Sequence, residues 1–312
     1  MNLDVKTLFD VVLTMIVPVI GGFVATKAKI LGDEYPKKLS HLVLYVFQPF
    51  LLASAVLGSE YSPKKALSGL TVLIIGVIAH ALAALVAFLL SSAFRDKGVG
   101  RIVEHSIIFG NTGFFGIPVI RAVYGEEGVF YTGFFVIIFN VVLWSYGNLV
   151  LKRATSDIKI SPLKIIFNAG TIPCAIGLLL YFLRVPIYPP IITGMKSIGS
   201  ACTPLSMVII GSLFARVPIK KLLRNWQACV ACVSKLFIVP IVTAIVLKLL
   251  CFPEYFAVFG ALMMSLPSAA STAMFAQNYD LNSELAAEIV GLCTVLSIVT
   301  IPLVGQIINF IV

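Results

Sequence analysis

The 312-residue sequence has little charge. Asp, Glu, Lys and Arg together make up 12% of it, whereas a soluble protein carries about 25%. Segments made only of polar residues are short, so we expect no soluble domain beside the apolar part. Apolar residues reach 59% and the mean hydropathy is +1.03, which is typical of a membrane protein.

Residues that enzymes, metal sites and channels require are also scarce. No second Cys or His pair at ligand spacing accompanies Cys229-x-x-Cys232, so we interpret the six cysteines as small apolar residues and predict no metal and no cofactor. No Asp pair, His-rich metal set or Ser–His–Asp set is visible, which argues against a membrane-embedded enzyme. Rings of pore-lining charge are missing too, which argues against a channel.

The chain has ten apolar stretches instead, each long enough to cross a hydrocarbon core of about 30 Å, which takes about 20 helical residues. The N-terminus lacks a basic region and a small-residue cleavage site, so we expect the first stretch to be a retained span. The predicted spans are 7–26, 38–58, 66–94, 103–124, 128–151, 162–183, 189–214, 226–250, 255–276 and 286–311. The expected fold class is therefore an all-α polytopic membrane protein.

Lysine and arginine are distributed unevenly between the two sides of these spans. The odd-numbered loops carry fifteen, and the opposite side, which includes the termini, carries seven. Because cytoplasmic loops are rich in Lys and Arg, the odd loops are predicted to be cytoplasmic and both termini outside, in a plasma membrane of the bacterial type. The net charge of +9 follows from the same asymmetry, so nothing else points to nucleic acid as a partner.

Many local features appear twice, 155 residues apart. Three of the five prolines in the first half find a proline at that single offset, where chance would align well under one. The matched pairs are Pro18 and Pro173, Pro49 and Pro204, Pro63 and Pro218, Gly22 and Gly177, Lys65 and Lys220, and Tyr124 and Tyr279. Since five spans are an odd number, repeats 1–155 and 156–312 would be inverted in the membrane. Such symmetry is typical of secondary transporters, which hold the substrate where the repeats meet.

Two spans at equivalent places in the repeats contain helix breakers. Three glycines and a proline fall within 109–118 of span 4, and Pro267 interrupts 265–272 of span 9. Irregular backbone at membrane depth is tolerated only where it is buried or lines a cavity, so paired breaks indicate a transport site. Two simple proline kinks are the alternative. Polar residues at the breaks favour the site, namely Asn111, Thr112, Ser268, Ser271 and Thr272; the expected hinge residues are Gly110, Gly116, Pro118 and Pro267.

The breaks also predict the charge of the substrate. The outer half of span 4 is expected to begin near Asn111 to Gly113, and the inner half of span 9 near Pro267 and Ser268. Both would be helix N-termini that point toward the midplane, each with unpaired N–H groups and about half a positive charge. Together they favour an anion.

Lys235 is the one formal charge that the sequence places deep in a span, about nine residues inside span 8. Burying it costs at least about 2.5 kcal/mol on insertion scales, and no Asp or Glu lies deep enough to pair with it. Its counterpart 155 residues earlier is His80, which we take as the only His deep in a span. Two interpretations stay open: both belong to an anion site, or Lys235 bonds helix C-terminal carbonyls and His80 is satisfied in the core.

The sequence resembles the auxin efflux carrier family, which includes plant auxin carriers and bacterial malate-permease-like proteins. The likeness extends from about residue 8 to 308. The helix 4 signature of that family resembles 111–118 followed by Tyr124-Gly125-Glu126, and its helix 9 signature resembles Leu266-Pro267 followed by 275–279. Val17-Pro18 with Gly21-Gly22, Gln48-Pro49-Phe50, and Lys235 ahead of Pro240 also fit.

The resemblance implies ten helices in two inverted five-helix repeats. Helices 1, 2, 6 and 7 would form a scaffold that often dimerises, helices 3–5 and 8–10 a transport domain, and helices 4 and 9 would cross at the substrate. It assigns the carboxylate-binding asparagine to Asn111, a polar residue of helix 5 to Asn140 and the proline of the crossing to Pro267. The link between repeats is short, and helix 3 has apolar residues and His80 where plant members have an Asp-to-Lys pair, which argues against auxin itself.

The sequence therefore predicts a secondary transporter of a small organic anion, an auxin-like monocarboxylate or a malate-like dicarboxylate. It would work by alternating access with an elevator-type movement, in the lipid bilayer, as a homodimer through the scaffold. The alternative is a sodium-coupled symporter of the bile-acid type, in which the hydroxyls of Ser268, Ser271 and Thr272 would supply some ligands without a carboxylate. The predicted substrate-binding residues are Asn111, Thr112, Gly113, Asn140, Pro267, Ser268, Ser271, Lys235 and His80.

Overall fold

The computed structural model describes residues 5–32, 34–154, 171–216 and 225–312. The helices in these ranges, numbered in chain order, are α1 (Val5–Lys27), α2 (Tyr35–Leu42), α3 (Gln48–Leu57), α4 (Pro63–Ser91), α5 (Lys97–Ile108), α6 (Ile117–Val142), α7 (Asn148–Lys152), α8 (Thr171–Phe182), α9 (Pro189–Ser200), α10 (Cys202–Phe214), α11 (Trp226–Val233), α12 (Val239–Leu249), α13 (Glu254–Met264), α14 (Ser271–Asn278) and α15 (Ser283–Ile311). The predicted repeat boundary at 155/156 lies outside the described residues, as do Pro218 and Lys220.

Five helical segments of the described chain are long and apolar enough to cross a membrane. They are Lys38–Leu57, Pro63–Ser91, Ile117–Lys152, Trp226–Leu249 and Ser283–Ile311. Irregular backbone interrupts the predicted span 4 at 109–111, between α5 and the π turn that leads into α6. It interrupts the predicted span 9 at 265–270, between α13 and α14. The chain is thus an all-helical, polytopic membrane protein in the part described, and both predicted breaks interrupt their helices.

Prolines stand inside three long apolar segments without ending them. Pro49, Pro118 and Pro240 are each the second residue after a π-helical turn, at Val43–Phe47, Thr112–Gly116 and Ser234–Ile238 respectively. Proline lacks an N–H and its ring clashes with the carbonyl four residues earlier, which in each case lies in the wider π turn. The helices therefore continue past these prolines, with irregular hydrogen bonding at the turn. A fourth π turn, Leu143–Gly147, precedes α7.

The predicted spans 4 and 5 meet at Gly125, inside the range of α6. Its φ of 64° and ψ of −158° are non-helical, and this positive φ favours glycine. The segments on either side lie close, since a Cβ on Gly128 would be 2.3 Å from Cβ of Tyr124. The expected connection between the two spans is therefore a glycine turn rather than a loop.

Glycines permit close approach between helices of the predicted scaffold. α1 packs along α10, where a Cβ on Gly22 would lie 2.1 Å from the Val208 carbonyl oxygen and one on Gly211 would lie 1.9 Å from that of Val19. α3 packs on α8 and α9. In the other group, α4 packs on α5, α6, α12 and α13, and α15 packs on α11, α12 and α14. α6 also contacts α1 and α3, so the two groups of helices share an interface that holds the breaks.

Candidate substrate site at the paired breaks

The two interrupted segments lie side by side and hydrogen-bond each other. The Asn111 N–H donates to the Pro267 carbonyl oxygen at 2.7 Å, and the Ala269 N–H donates to that of Phe109 at 2.9 Å. Between these bonds, Gly110 and Ser268 form an isolated antiparallel bridge. The pairing satisfies backbone groups that no helix can satisfy at membrane depth. We call this pairing of 109–111 with 267–269 the crossover.

Two glycines allow the second break to approach the first. A Cβ on Gly116 would lie 2.6 Å from Cδ1 of Leu266, the residue before Pro267. A Cβ on Gly110 would lie 3.2 Å from Nζ of Lys235 and 3.5 Å from Cβ of Leu266. A side chain at Gly116 would therefore force the Leu266 side chain to move, and one at Gly110 would crowd the Lys235 amine.

Helical structure resumes directly after the first break. The N–H groups of Phe115 and Gly116 donate to the Asn111 carbonyl oxygen at 3.1 and 3.0 Å, and Pro118 stands in the first turn of α6. The predicted start of this half-span, near Asn111 to Gly113, agrees with the π turn that begins at Thr112. The N-terminal end of that turn lies at the crossover.

After the second break the helix begins later than the sequence predicted. α14 starts at Ser271, three residues beyond the predicted start near Ser268. The reason is the crossover itself, because the Pro267 carbonyl and the Ala269 N–H bond to the first break and the chain must stay extended between them. Pro267 and Ser268 therefore belong to the extended pair, and the expectation of a helix N-terminus at Pro267 was wrong.

Two buried amide side chains lie on the side of the first break. Asn111 is 6% exposed, and Gln48, at the start of α3, is 8% exposed. A Cβ on Gly113 would lie 2.5 Å from Nε2 of Gln48, so this amide rests against the backbone of the π turn. Its Oε1 has no hydrogen-bond partner among the described residues. A buried amide with unused hydrogen-bonding capacity beside a helix start is suited to a polar ligand.

Gln48 was not among the predicted site residues. The signal for it was available, because Gln48-Pro49-Phe50 was part of the family resemblance and a polar residue within an apolar span is costly. Nothing in the sequence indicates that α3 reaches the crossover, because that approach depends on tertiary packing.

On the side of the second break, two hydroxyls are committed to protein partners. Oγ of Ser268 donates to the Ser106 carbonyl oxygen at 2.8 Å, and Oγ1 of Thr272 lies 2.9 Å from Nδ1 of His105. Ser271 differs, because its Oγ is buried and has no partner within the described ranges. Of the predicted hydroxyls, Ser271 therefore keeps its hydrogen-bonding capacity for a ligand.

His105 is a second deeply buried histidine, so the expectation that His80 is the only one was wrong. It is fully buried, and its ring packs on those of Phe109 and Phe275 at centroid distances of 4.6 and 5.9 Å. It stands near the edge of the predicted span 103–124, which is why its sequence position suggested a shallow location. Since span 4 breaks at Phe109, a residue four positions earlier lies next to the crossover.

Glu104, which the sequence placed near a span end, is also fully buried. Its carboxylate accepts from Arg101, from the Ser91 hydroxyl at 3.1 Å and from the Tyr146 hydroxyl at 3.0 Å. These donors come from α4, α5 and the π turn before α7, so they tie the three segments together. The carboxylate is satisfied within the protein.

Lys235 is fully buried within the π turn between α11 and α12. Its Nζ donates to the carbonyl oxygen of Ile108, the last residue of α5, at 3.5 Å. The described residues contain no carboxylate that pairs with it in a salt bridge. The contact is the one expected of a lysine bonded to helix C-terminal carbonyls, and it holds the charge beside Gly110 of the crossover.

His80 and Asn140 hydrogen-bond within their own helices. Nδ1 of His80 lies 2.7 Å from the Gly76 carbonyl oxygen, and Nδ2 of Asn140 donates to that of Val136 at 3.0 Å. The ring of Phe139, the residue before Asn140, packs on both His80 and Phe109, with its centroid 6.0 Å from that of His80 and 5.8 Å from that of Phe109. His80 is therefore connected to the first break through one aromatic ring.

The similarity to known proteins covers almost the whole chain. The profile of a family described as "Membrane transport protein" matches residues 7–304. An uncharacterized transporter of Methanothermobacter thermautotrophicus is 26% identical over 317 residues, which cover 94% of this chain and 96% of the relative. An uncharacterized transporter of Methanocaldococcus jannaschii is 25% identical over 315 residues, which cover 96% and 98%. The likeness thus includes both breaks and every residue of the candidate site.

Proposed function

The chain belongs to the membrane transport protein family, as the resemblance to auxin efflux carriers predicted, and from that premise we propose that it is a secondary transporter of a small organic anion. The substrate class is a mono- or dicarboxylate. The observation that carries the proposal is the crossover, where two broken spans pair at membrane depth beside the buried side chains of Asn111 and Gln48. Such discontinuous helices form the substrate sites of many secondary transporters.

In the proposed site the first break recognises the carboxylate. The side-chain amide of Asn111 donates to it, and so does the Gly113 N–H at the start of the π turn, whereas the Thr112 N–H already donates to the Gly110 carbonyl oxygen at 2.8 Å. Gln48 adds a second amide from α3, against Gly113. A buried carboxylate needs several donors to replace water, and the positive end of the following helix favours its charge. The Ser271 hydroxyl completes the site from α14.

The remaining predicted residues act around this site in the proposal. Lys235 supplies a fixed positive charge behind the crossover, through its field rather than through contact. Ser268 and Pro267 keep the second break in place. His80 and Asn140 form the layer behind Phe139 and shape the cavity in which the substrate moves.

The architecture that we propose has ten spans in two inverted repeats, 1–155 and 156–312. Spans 1, 2, 6 and 7 form the scaffold and the homodimer interface, and spans 3–5 and 8–10 move against it in an elevator-type cycle. The packing of α1 on α10 and of α3 on α8 and α9 supports the first group, and the contacts of α4 and α15 support the second. Both termini face outward from a plasma membrane. Cysteines at positions 97 and 126 must then react with impermeant reagents from opposite sides; reaction from one side ends the inverted arrangement.

The sodium-coupled alternative is less well supported by the contacts. Of the three hydroxyls that were expected in a sodium cage, those of Ser268 and Thr272 already bond to Ser106 and His105. Sodium prefers a shell of several oxygens, and Ser271 alone keeps its hydroxyl uncommitted among the three.

Uptake into proteoliposomes tests the proposal. Purified protein is reconstituted, and entry of labelled malate and of labelled indole-3-acetate is measured with sodium or choline outside. We expect saturable uptake of at least one of these carboxylates, competed by the unlabelled compound and equal in the two salts. Uptake no faster than in protein-free liposomes for every carboxylate tried overturns the proposed function, and uptake only in sodium establishes the alternative.

A further inference from the structure

Lys235 stands at the end of a helix that stops at the crossover. α5 finishes at Ile108, just before the first break. Helix C-termini carry carbonyl oxygens that the helix leaves unpaired and about half a negative charge. Nζ of Lys235 donates to the Ile108 carbonyl oxygen at 3.5 Å. A Cβ on Gly110 would lie 3.2 Å from that amine, so the charge also lies beside the backbone of the first break.

No salt bridge joins this amine to a carboxylate in the part of the chain that the structure describes. Glu104 of α5 is engaged by Arg101, Ser91 and Tyr146 instead. His80 and Cys293 are ionisable side chains close enough to Lys235 for an electrostatic interaction, and neither is a carboxylate. A buried charge without a counter-ion persists only where dipoles stabilise it. Here the dipole is that of α5, through the Ile108 carbonyl.

We propose that the Lys235 ammonium is a resident cation of the crossover, and that its covalent tether takes the place of a free monovalent cation. The inference concerns this chain alone: removing the amine should leave a monovalent cation site at the Ile108 carbonyl. The fully buried position of Lys235 means that this site would be shielded from bulk water.

Cation-dependent thermal unfolding tests this inference without any substrate. Purified parent protein and Lys235→Ala are melted in detergent with choline, sodium or n-propylammonium chloride at equal ionic strength. Propylammonium reproduces the part of the lysine side chain that the substitution removes. We expect the parent midpoint to be the same in all three salts. The midpoint of Lys235→Ala should rise by about 3 °C or more in propylammonium or in sodium relative to choline, since a ligand that binds only the folded state stabilises it.

The melts in sodium and in propylammonium distinguish a metal ion from an ammonium ion. A rise in propylammonium alone shows that the site accepts the ammonium group as the lysine presents it, and a rise in sodium shows that it also accepts a metal ion. Equal midpoints of Lys235→Ala in all three salts overturn the inference. Lys235→Met is measured in parallel because it keeps the volume of the side-chain stem. If neither variant is recovered in choline, both are purified in propylammonium or in sodium throughout; recovery in either salt supports the inference, and failure in both overturns it.

The chain offers a matched control in Lys248. Its Nζ also donates to a carbonyl near a helix C-terminus, that of Ile311 at the end of α15, but the contact is exposed. Lys248→Ala should show no difference among the three salts, because water replaces the amine there. The outcome is independent of transport. If no carboxylate is taken up, a cation-dependent melt still supports the inference. If the melt is independent of the cation, carboxylate uptake still supports the proposed function.

Discussion

The two breaks share a backbone arrangement and differ in side-chain chemistry. Each contributes one N–H and one carbonyl to the crossover, through Asn111 and Phe109 on one side and Ala269 and Pro267 on the other. The first break is lined by glycines and amides. The second carries hydroxyls, and most of these are bonded to the protein. Backbone pairing needs only extended residues, so two different sequences can form it, whereas recognition depends on the side chains. The proposed carboxylate recognition therefore falls to the amides of the first break, and the bonded hydroxyls of Ser268 and Thr272 give the second break a structural part.

Lys235 and His80, at equivalent positions of the two predicted repeats, show the same divergence. His80 bonds a carbonyl of its own helix, four residues away. Lys235 bonds the Ile108 carbonyl, 127 residues away in the other predicted repeat. One basic residue thus bonds within its own helix, and the other places charge at the end of a distant helix.

The largest effect is expected at the first break, from Asn111→Asp. It puts a negative charge where the substrate carboxylate binds, and two charges at 4 Å in an effective dielectric of about 20 interact by roughly 4 kcal/mol. The dissociation constant of malate should rise by about 10³-fold, which in practice abolishes binding. Ligand-induced thermal shifts of the purified variant measure it.

Gln306→Glu is the matched control for this prediction. It makes the same amide-to-carboxylate change at an exposed position of α15, and malate affinity should be unaffected. If Asn111→Asp binds malate as the parent does, Asn111 is not part of the site and recognition cannot be assigned to the first break.

Next in size is Lys235→Met, measured in choline so that no small cation refills the position. If the amine supplies positive field, its loss weakens a dianion more than a monoanion, because the Coulomb energy scales with ligand charge. We expect a loss of about 1–2 kcal/mol for malate, or roughly five- to thirty-fold in Kd. The loss for a monocarboxylate should be smaller. Equal affinities in variant and parent for both classes would make Lys235 a structural residue.

The breaks were predictable from sequence, whereas the partners of their side chains were not. Gly and Pro disrupt a helix locally, so 109–118 and Pro267 are visible without any knowledge of the fold. The partners are distant: His105 meets Thr272 across 167 residues, and Ser268 meets Ser106 across 162. Such contacts depend on how the helices pack. The start of α14 was misplaced for the same reason, since Pro267 alone favours a helix start and only the pairing keeps it extended.

The fold class was predictable because hydropathy reports burial in lipid directly. The all-helical, polytopic class is confirmed, whereas the arrangement as ten spans in two inverted repeats stays a prediction. The π turns were not predicted, although Pro49, Pro118 and Pro240 follow three of them at a constant position. A proline inside a long apolar run predicts a kink or a break. Whether a π turn accommodates the proline instead depends on how the neighbouring helices pack.

A smaller loss is expected from Gln48→Leu, which keeps the size of the side chain and removes its amide. If the amide donates to the substrate, one hydrogen bond worth about 1 kcal/mol is lost, or roughly fivefold in malate affinity. Stability should not fall, because Oε1 has no partner among the described residues and the polar group is costly to bury. Isothermal calorimetry and a melt without ligand measure the two quantities. Unchanged affinity with lower stability would assign Gln48 to packing against Gly113.

The smallest effect on affinity separates two serines of the second break, Ser268 and Ser271. Ser268→Ala leaves the Ser106 carbonyl without its donor, at a cost of about 1 kcal/mol, so the unfolding midpoint without ligand should fall by about 2–4 °C while malate affinity stays the same. Ser271→Ala removes a hydroxyl that has no partner in the described chain, so the midpoint should hold and affinity should fall severalfold. Melts and calorimetry on both variants give the four values. A lower midpoint for Ser271→Ala with unchanged affinity would make its hydroxyl structural too, and all recognition would then belong to the first break.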